Sequence, residues 1–118
     1  MESRKISILG TEYSIRYLPA NEIEDTMKGP GYIGYCDEDT KEIAVWDCEG
    51  EGYTPEKVAA IQKQVLRREV VHAFLNESGL SSSSNQYSGA WAKNEEMVDW
   101  FAIMAPKIFA VFGELGVL

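Results

Sequence analysis

The sequence predicts an α+β domain, a small antiparallel sheet from amino-terminal hairpins packed on two long helices. Three observations support it. Apolar and polar residues alternate through 5–18 and again through 42–46, the period of a half-buried strand. From residue 54 the apolar spacing becomes helical, and it does so again from about residue 91. Strands precede helices instead of alternating with them, the order of an α+β chain. The chain reads as one domain over 1–118: β-rich over 1–53, a helix over 54–79, a polar loop over 80–90, and a second helix with a tail over 91–118.

In "KISILGTEYSIRYL", Ile6 and Ile8 precede Gly10-Thr11, and Tyr13, Ile15 and Tyr17 follow, which signals a hairpin. The stretch "LPANEIEDTMKGPG" reads as a loop with room for one helical turn, punctuated by Gly29-Pro30-Gly31. A second hairpin follows: "GYIGYC", a polar turn over 37–41, and "EIAVW" with Ile43 and Val45 on one face. The acidic connector 47–52 then leads to Thr54-Pro55, an N-cap and a proline at the first helical position.

The first long helix should run to about Ser78 and be closed by Gly79. Val58, Ile61 and Val65 give its first half an apolar side. Its second half carries Val70, Val71, Ala73, Phe74 and Leu75 around the axis, so burial on nearly all sides is expected. "SSSSNQYSGA" is a low-complexity polar loop. The second helix, about Trp91 to Phe112, has Met97, Phe101, Met104 and Ile108 at helical spacing, and Pro106 should kink or break it near Ala105.

Composition narrows the function. The 118 residues are 45% apolar and 25% charged, with 19 acidic against 11 basic side chains and a net charge of −8. Such a balance argues against binding nucleic acid through its phosphates; it suits a basic partner or a nucleic-acid mimic, and first of all it keeps a small protein in solution. No apolar run approaches a membrane span, and the amino terminus lacks the apolar core of a secretory signal. Cys36 and Cys48 are too few for a disulfide framework and read as packed thiols. A cytoplasmic setting is expected.

The chemistry concentrates in "VLRREVVHAFLNESGL". Arg68 and His72 are four apart and share a helix face, with Glu69 beside them. Downstream, "NEEMVD" places Glu95 and Asp99 on one face of the second helix, with Glu96 read as a solvated neighbour. Trp46, Trp91 and Trp100 read as core or core-edge aromatics. Asp37, Glu38, Asp39, Glu42, Asp47, Glu49 and Glu51 read as a solvated hairpin rim without the calcium-loop pattern.

Leu66 to Leu80, Trp91 to Ala102, and Pro106-Lys107-Ile108 resemble the minimal zincin metallopeptidases, the ImmA/IrrE and SprT-like groups and above all their small phage-type members. "ILGTEYSI" and "GYCDEDTKEIAV" are similar to that family's hairpins, so the resemblance covers most of the chain. It implies zinc as cofactor, Glu69 as general base, His72 and Glu95 as metal ligands, and Asp99 as the group that orients a ligand. It also implies that an edge strand, Ile43 and Val45 in "EIAVW", pairs with an extended peptide.

The first ligand position of His-Glu-x-x-His holds Arg68. A guanidinium is protonated at physiological pH and has no lone pair for zinc. Arg68 is instead expected to replace the metal as the cation among Glu69, Glu95 and Asp99, pairing with Asp99 or Glu95 and holding the two helices together. The expectation is therefore a degenerate phage or prophage peptidase that has lost activity, binds little or no zinc, and holds a protein or peptide in the bacterial cytoplasm. Two alternatives stand beside it: an active zinc endopeptidase, and an acidic inhibitor or nucleic-acid mimic directed at a basic partner.

Overall fold

The alternating segments form a four-stranded sheet in a computed structural model that describes residues 3–78 and 94–115. Strands β1 (Arg4–Ile8) and β2 (Thr11–Leu18) make the first hairpin; β3 (Gly34–Asp37) and β4 (Glu42–Trp46) make the second. Leu9 (φ 50°) and Gly10 (φ 89°) form the first turn, both left-handed, as a two-residue turn matched to strand twist requires. In the second turn, Asp37 Oδ1 accepts from the Asp39 and Thr40 amides at 2.9 and 3.2 Å.

The sheet is mixed, which corrects the antiparallel expectation. Its order is β1-β2-β4-β3, and β2 pairs with β4 in parallel, Ile15 opposite Ile43 and Tyr17 opposite Val45. Parallel neighbours need a crossover. The chain between β2 and β4 supplies one, carrying β3 and a helix, α1 (Ala20–Met27), where a loop with one turn was expected. Ile23 is fully buried and anchors α1 against Leu18, Tyr35 and Ala44. Lys28, left-handed at φ 57°, ends the helix by donating its amide to the Glu24 carbonyl.

The other sheet face carries the main core. Ile8, Tyr13, Ile15, Ile43 and Val45 pack on Val65 and Ala73 of α2 (Pro55–Glu77). Thr54 caps α2 as its sequence implied, Oγ1 accepting the Lys57 amide at 3.2 Å; Ser78 is the C-cap residue, and Gly79 lies outside the described residues. The far end of α2 is tied to the sheet by Glu77, which accepts from the Tyr13 hydroxyl at 2.6 Å and from Lys41 Nζ at 2.9 Å.

The second half of α2 is not buried all round. Sheet and α3 (Glu95–Leu115) cover two sides, while Phe74 stays 44% exposed beside an apolar groove of about 780 Å³ between the helices. On α3 the inward side chains are Val98, Ala102 and Ala105, one position away from the expected Met97, Phe101, Met104 face, and Phe101 is exposed. Small alanines let the two helices approach closely. The series' last member, Ile108, and the loop 80–90 and Trp91 lie outside what is described.

Pro106 does not break α3, which continues to Leu115. Proline leaves the carbonyl four residues earlier without its helical donor. That carbonyl belongs to Ala102, and Arg67 Nε of α2 donates to it at 3.2 Å. No helix among the described residues is long and apolar enough to cross a membrane.

Candidate functional site

Helix periodicity brings the singled-out residues together at the junction of α2, α3 and β3. Glu69 faces the sheet and is only 1% exposed. It fits there because β3 passes with a glycine: a Cβ on Gly34 would stand 2.6 Å from Val65 Cγ1, 2.9 Å from the Ala44 carbonyl oxygen and 3.2 Å from Glu69 Oε2. The composition of "GYIGYC" holds no signal for this contact, because it depends on which helix crosses behind β3.

Asn94 starts α3 by accepting the Met97 amide on its side-chain oxygen at 2.8 Å. The first turns then carry Glu95 and Asp99 toward Arg68. The guanidinium spends each of its three nitrogens on a different carboxylate. Nη1 donates to Glu69 Oε2 at 2.7 Å, Nε to Asp99 Oδ1, and Nη2 to Glu95 Oε2. Glu69 comes from the same helix as the arginine; Glu95 and Asp99 come from the other. His72, one turn along α2, has Nε2 3.2 Å from Glu95 Oε1. Leu75 and Val98, with Val71 and Met97, pack the helices together just beyond.

The cluster grades from buried to wet: the Glu69 side chain is 2% exposed, Arg68 31%, and Asp99 50%. Burial pushes the Glu69 carboxyl up to about 7, against the pull of the Arg68 charge. Burial and the nearby Arg68 charge push His72 down to about 4, with Asp99 acting weakly the other way. His72 is thus neutral near pH 7, and its contact with Glu95 is favourable with the ring proton on Nε2. For Arg68, burial disfavours the charge, and Glu69 and Asp99 more than offset it, so the guanidinium stays protonated.

With Arg68 in this position the residues do not fit a zinc ion. The point on which Glu69, Glu95 and Asp99 converge holds nitrogen donors with no lone pair, and all three carboxylates already accept from them. Among the described residues, no group of three His, Cys, Asp or Glu side chains is arranged to hold a metal ion.

Beside the cluster lies a cavity of about 400 Å³, walled by Tyr32, Ile33, Ile61, Val65 and Ile103, with Arg68, Glu69 and Asp99 in its lining. The strand expected to offer a peptide-pairing edge does not: β4 lies between β2 and β3, and Ile43 and Val45 are fully buried. Parallel pairing with β2 took the side that a hairpin alone would have left open. Among the described residues the edge strand next to the cavity is β3. The Trp46 amide donates to the Ile33 carbonyl at 2.9 Å, so alternation along the antiparallel ladder turns the backbone groups of Gly34 and Cys36 outward.

Other candidates sit apart. Trp46 packs on the α1 side of the sheet and meets Tyr53 edge-on at 6.2 Å, while Trp100 is exposed. Several rim acids serve local structure: Asp37 and Asp47 accept turn amides, and Glu42 bridges the Tyr35 hydroxyl and Arg16. Both cysteines are free. Burial pushes the Cys36 thiol up to about 12, aided by the Glu69 charge, which makes it a poor nucleophile. Compared with known proteins, the chain matches no family model, no curated protein and no solved structure.

Proposed function

We propose that this chain is a zincin-like, phage-type protein that holds an extended segment of a partner protein without hydrolysing it efficiently. The observation that carries the reading is the Arg68 guanidinium, bonded to Glu69, Glu95 and Asp99 at the position where a peptidase of this kind needs its metal. Glu69 Oε2 already accepts from Arg68 Nη1 at 2.7 Å, so the oxygen that would take a proton from water is occupied by a cation. The β3 edge and the adjoining cavity support binding: the backbone groups of half-buried Cys36 point away from β4, and the apolar walls can take a side chain. A bacterial cytoplasmic setting belongs to the same proposal.

Peptide-library binding, read beside peptide hydrolysis with and without added zinc, tests it. Binding without cleavage is expected, weakened by Ile103→Asp, which puts a charge on an exposed wall of the cavity. Zinc-dependent cleavage abolished by Glu69→Gln would establish the active-peptidase alternative instead. Absence of binding to any extended peptide would remove the reading.

A further inference from the structure

Glu69, His72, Glu95 and Asp99 are the side-chain types that hold divalent cations in proteins. Three carboxylates drawn from two helices repel one another unless a cation stands among them. Arg68 is that cation. It offers a different nitrogen to each carboxylate, so one side chain of α2 grips α3 at two positions a helical turn apart. The neighbouring residue acts on the same helix by other means, Arg67 donating to the Ala102 backbone. Among the described residues the buried apolar cluster between α2 and α3 is Leu75 and Val98, with Val71 and Met97 packed against it. A fork bonded on all sides is also a barrier, because a metal ion entering the site must displace a tethered charge that cannot leave.

We infer that Arg68 is the resident cation of this site, clipping α3 to α2 as a bound metal would and keeping divalent ions out. The inference rests on the same Arg68 cluster as the proposed function. A failure of peptide binding leaves it standing, whereas zinc retained by the parent would overturn it whatever peptide the cleft binds.

The test uses the full chain, with melting temperature and zinc content as readouts. The parent should carry no stoichiometric zinc after a chelator wash and should melt at the same temperature with chelator or added zinc chloride. Arg68→Ala should lower Tm by about 4 °C or more, the shift for losing about 1 kcal/mol in a domain of roughly 100–150 residues. Arg68→His should bind zinc that the parent does not, and zinc should raise its Tm. Should Arg68→Ala fail to fold, the double variant Glu95→Gln, Asp99→Asn keeps the question open to measurement. It leaves the arginine in place and should speed amide exchange along α3 while α2 stays protected. Zinc retained by the parent, an unchanged Tm in Arg68→Ala, no zinc uptake by Arg68→His, or unchanged α3 exchange in the double variant would each overturn the inference.

Discussion

Arg67 Nε donates to the carbonyl oxygen of Ala102 at 3.2 Å, and that carbonyl is the one Pro106 cannot serve. A proline inside a helix removes one backbone donor and strains the preceding turn. Here a side chain from the packed neighbour supplies the missing donor. The helix therefore passes through Pro106, and the defect becomes a point of attachment to α2.

Arg67→Ala should destabilise the chain by about 1.5–3 kcal/mol, the range for a hydrogen bond from a charged group. In a Pro106→Ala background the residue-106 amide can serve Ala102, so the same substitution should cost less, with a coupling of about 0.5–1 kcal/mol. Urea denaturation of the four-member cycle measures it; strict additivity would show that Arg67 acts elsewhere.

Gly34→Ala should destabilise by about 1–3 kcal/mol, as overpacking does. The new Cβ would meet Val65 Cγ1 at 2.6 Å and the Ala44 carbonyl oxygen at 2.9 Å. Val65→Ala should recover part of the loss but not all of it, because the backbone oxygen cannot withdraw. Full recovery would mean that the sheet shifts freely under α2.

Glu69 and His72 should give opposite pH dependences over much the same window. The folded-state pKa of Glu69 is raised from 4.5 to about 7, so the folded chain holds an extra proton between those values and loses stability as pH rises through them. His72 is lowered from 6.5 to about 4, so the unfolded chain holds the extra proton and stability falls as pH drops through that range. Glu69→Gln should therefore remove a decline in Tm between pH 4.5 and 7, and His72→Gln should remove a rise between pH 4 and 6.5. A parent profile that neither substitution alters would contradict both environments.

Glu77 governs the acid limb. Hydrogen bonds from Tyr13 and Lys41 hold its carboxyl down at about 2, so its contribution is complete above 4.5 and is lost as pH falls toward 2. Tyr13→Phe removes the largest of these bonds and should move the onset of acid unfolding to higher pH. Circular dichroism during acid titration reads the shift, and an unmoved onset would detach Glu77 from acid stability.

Local signals carried much of the architecture. Thr54-Pro55 marked the start of α2, the alternation around Gly10 and residues 37–41 marked two hairpins, and the spacings 68/72 and 95/99 placed their side chains on common faces. These are properties of neighbours along the chain, set by backbone geometry and short-range periodicity. Tertiary structure alone decided the rest. It buried β4 between β2 and β3, which left β3 as the edge strand among the described residues. It made room for Glu69 at Gly34, repaired Pro106 from Arg67, and gave Glu69, Asp99 and Glu95 one nitrogen each of Arg68. Each of these joins residues distant in sequence. Which strand lies beside which, and which charge meets which, depends on how whole elements pack, and no local period encodes that.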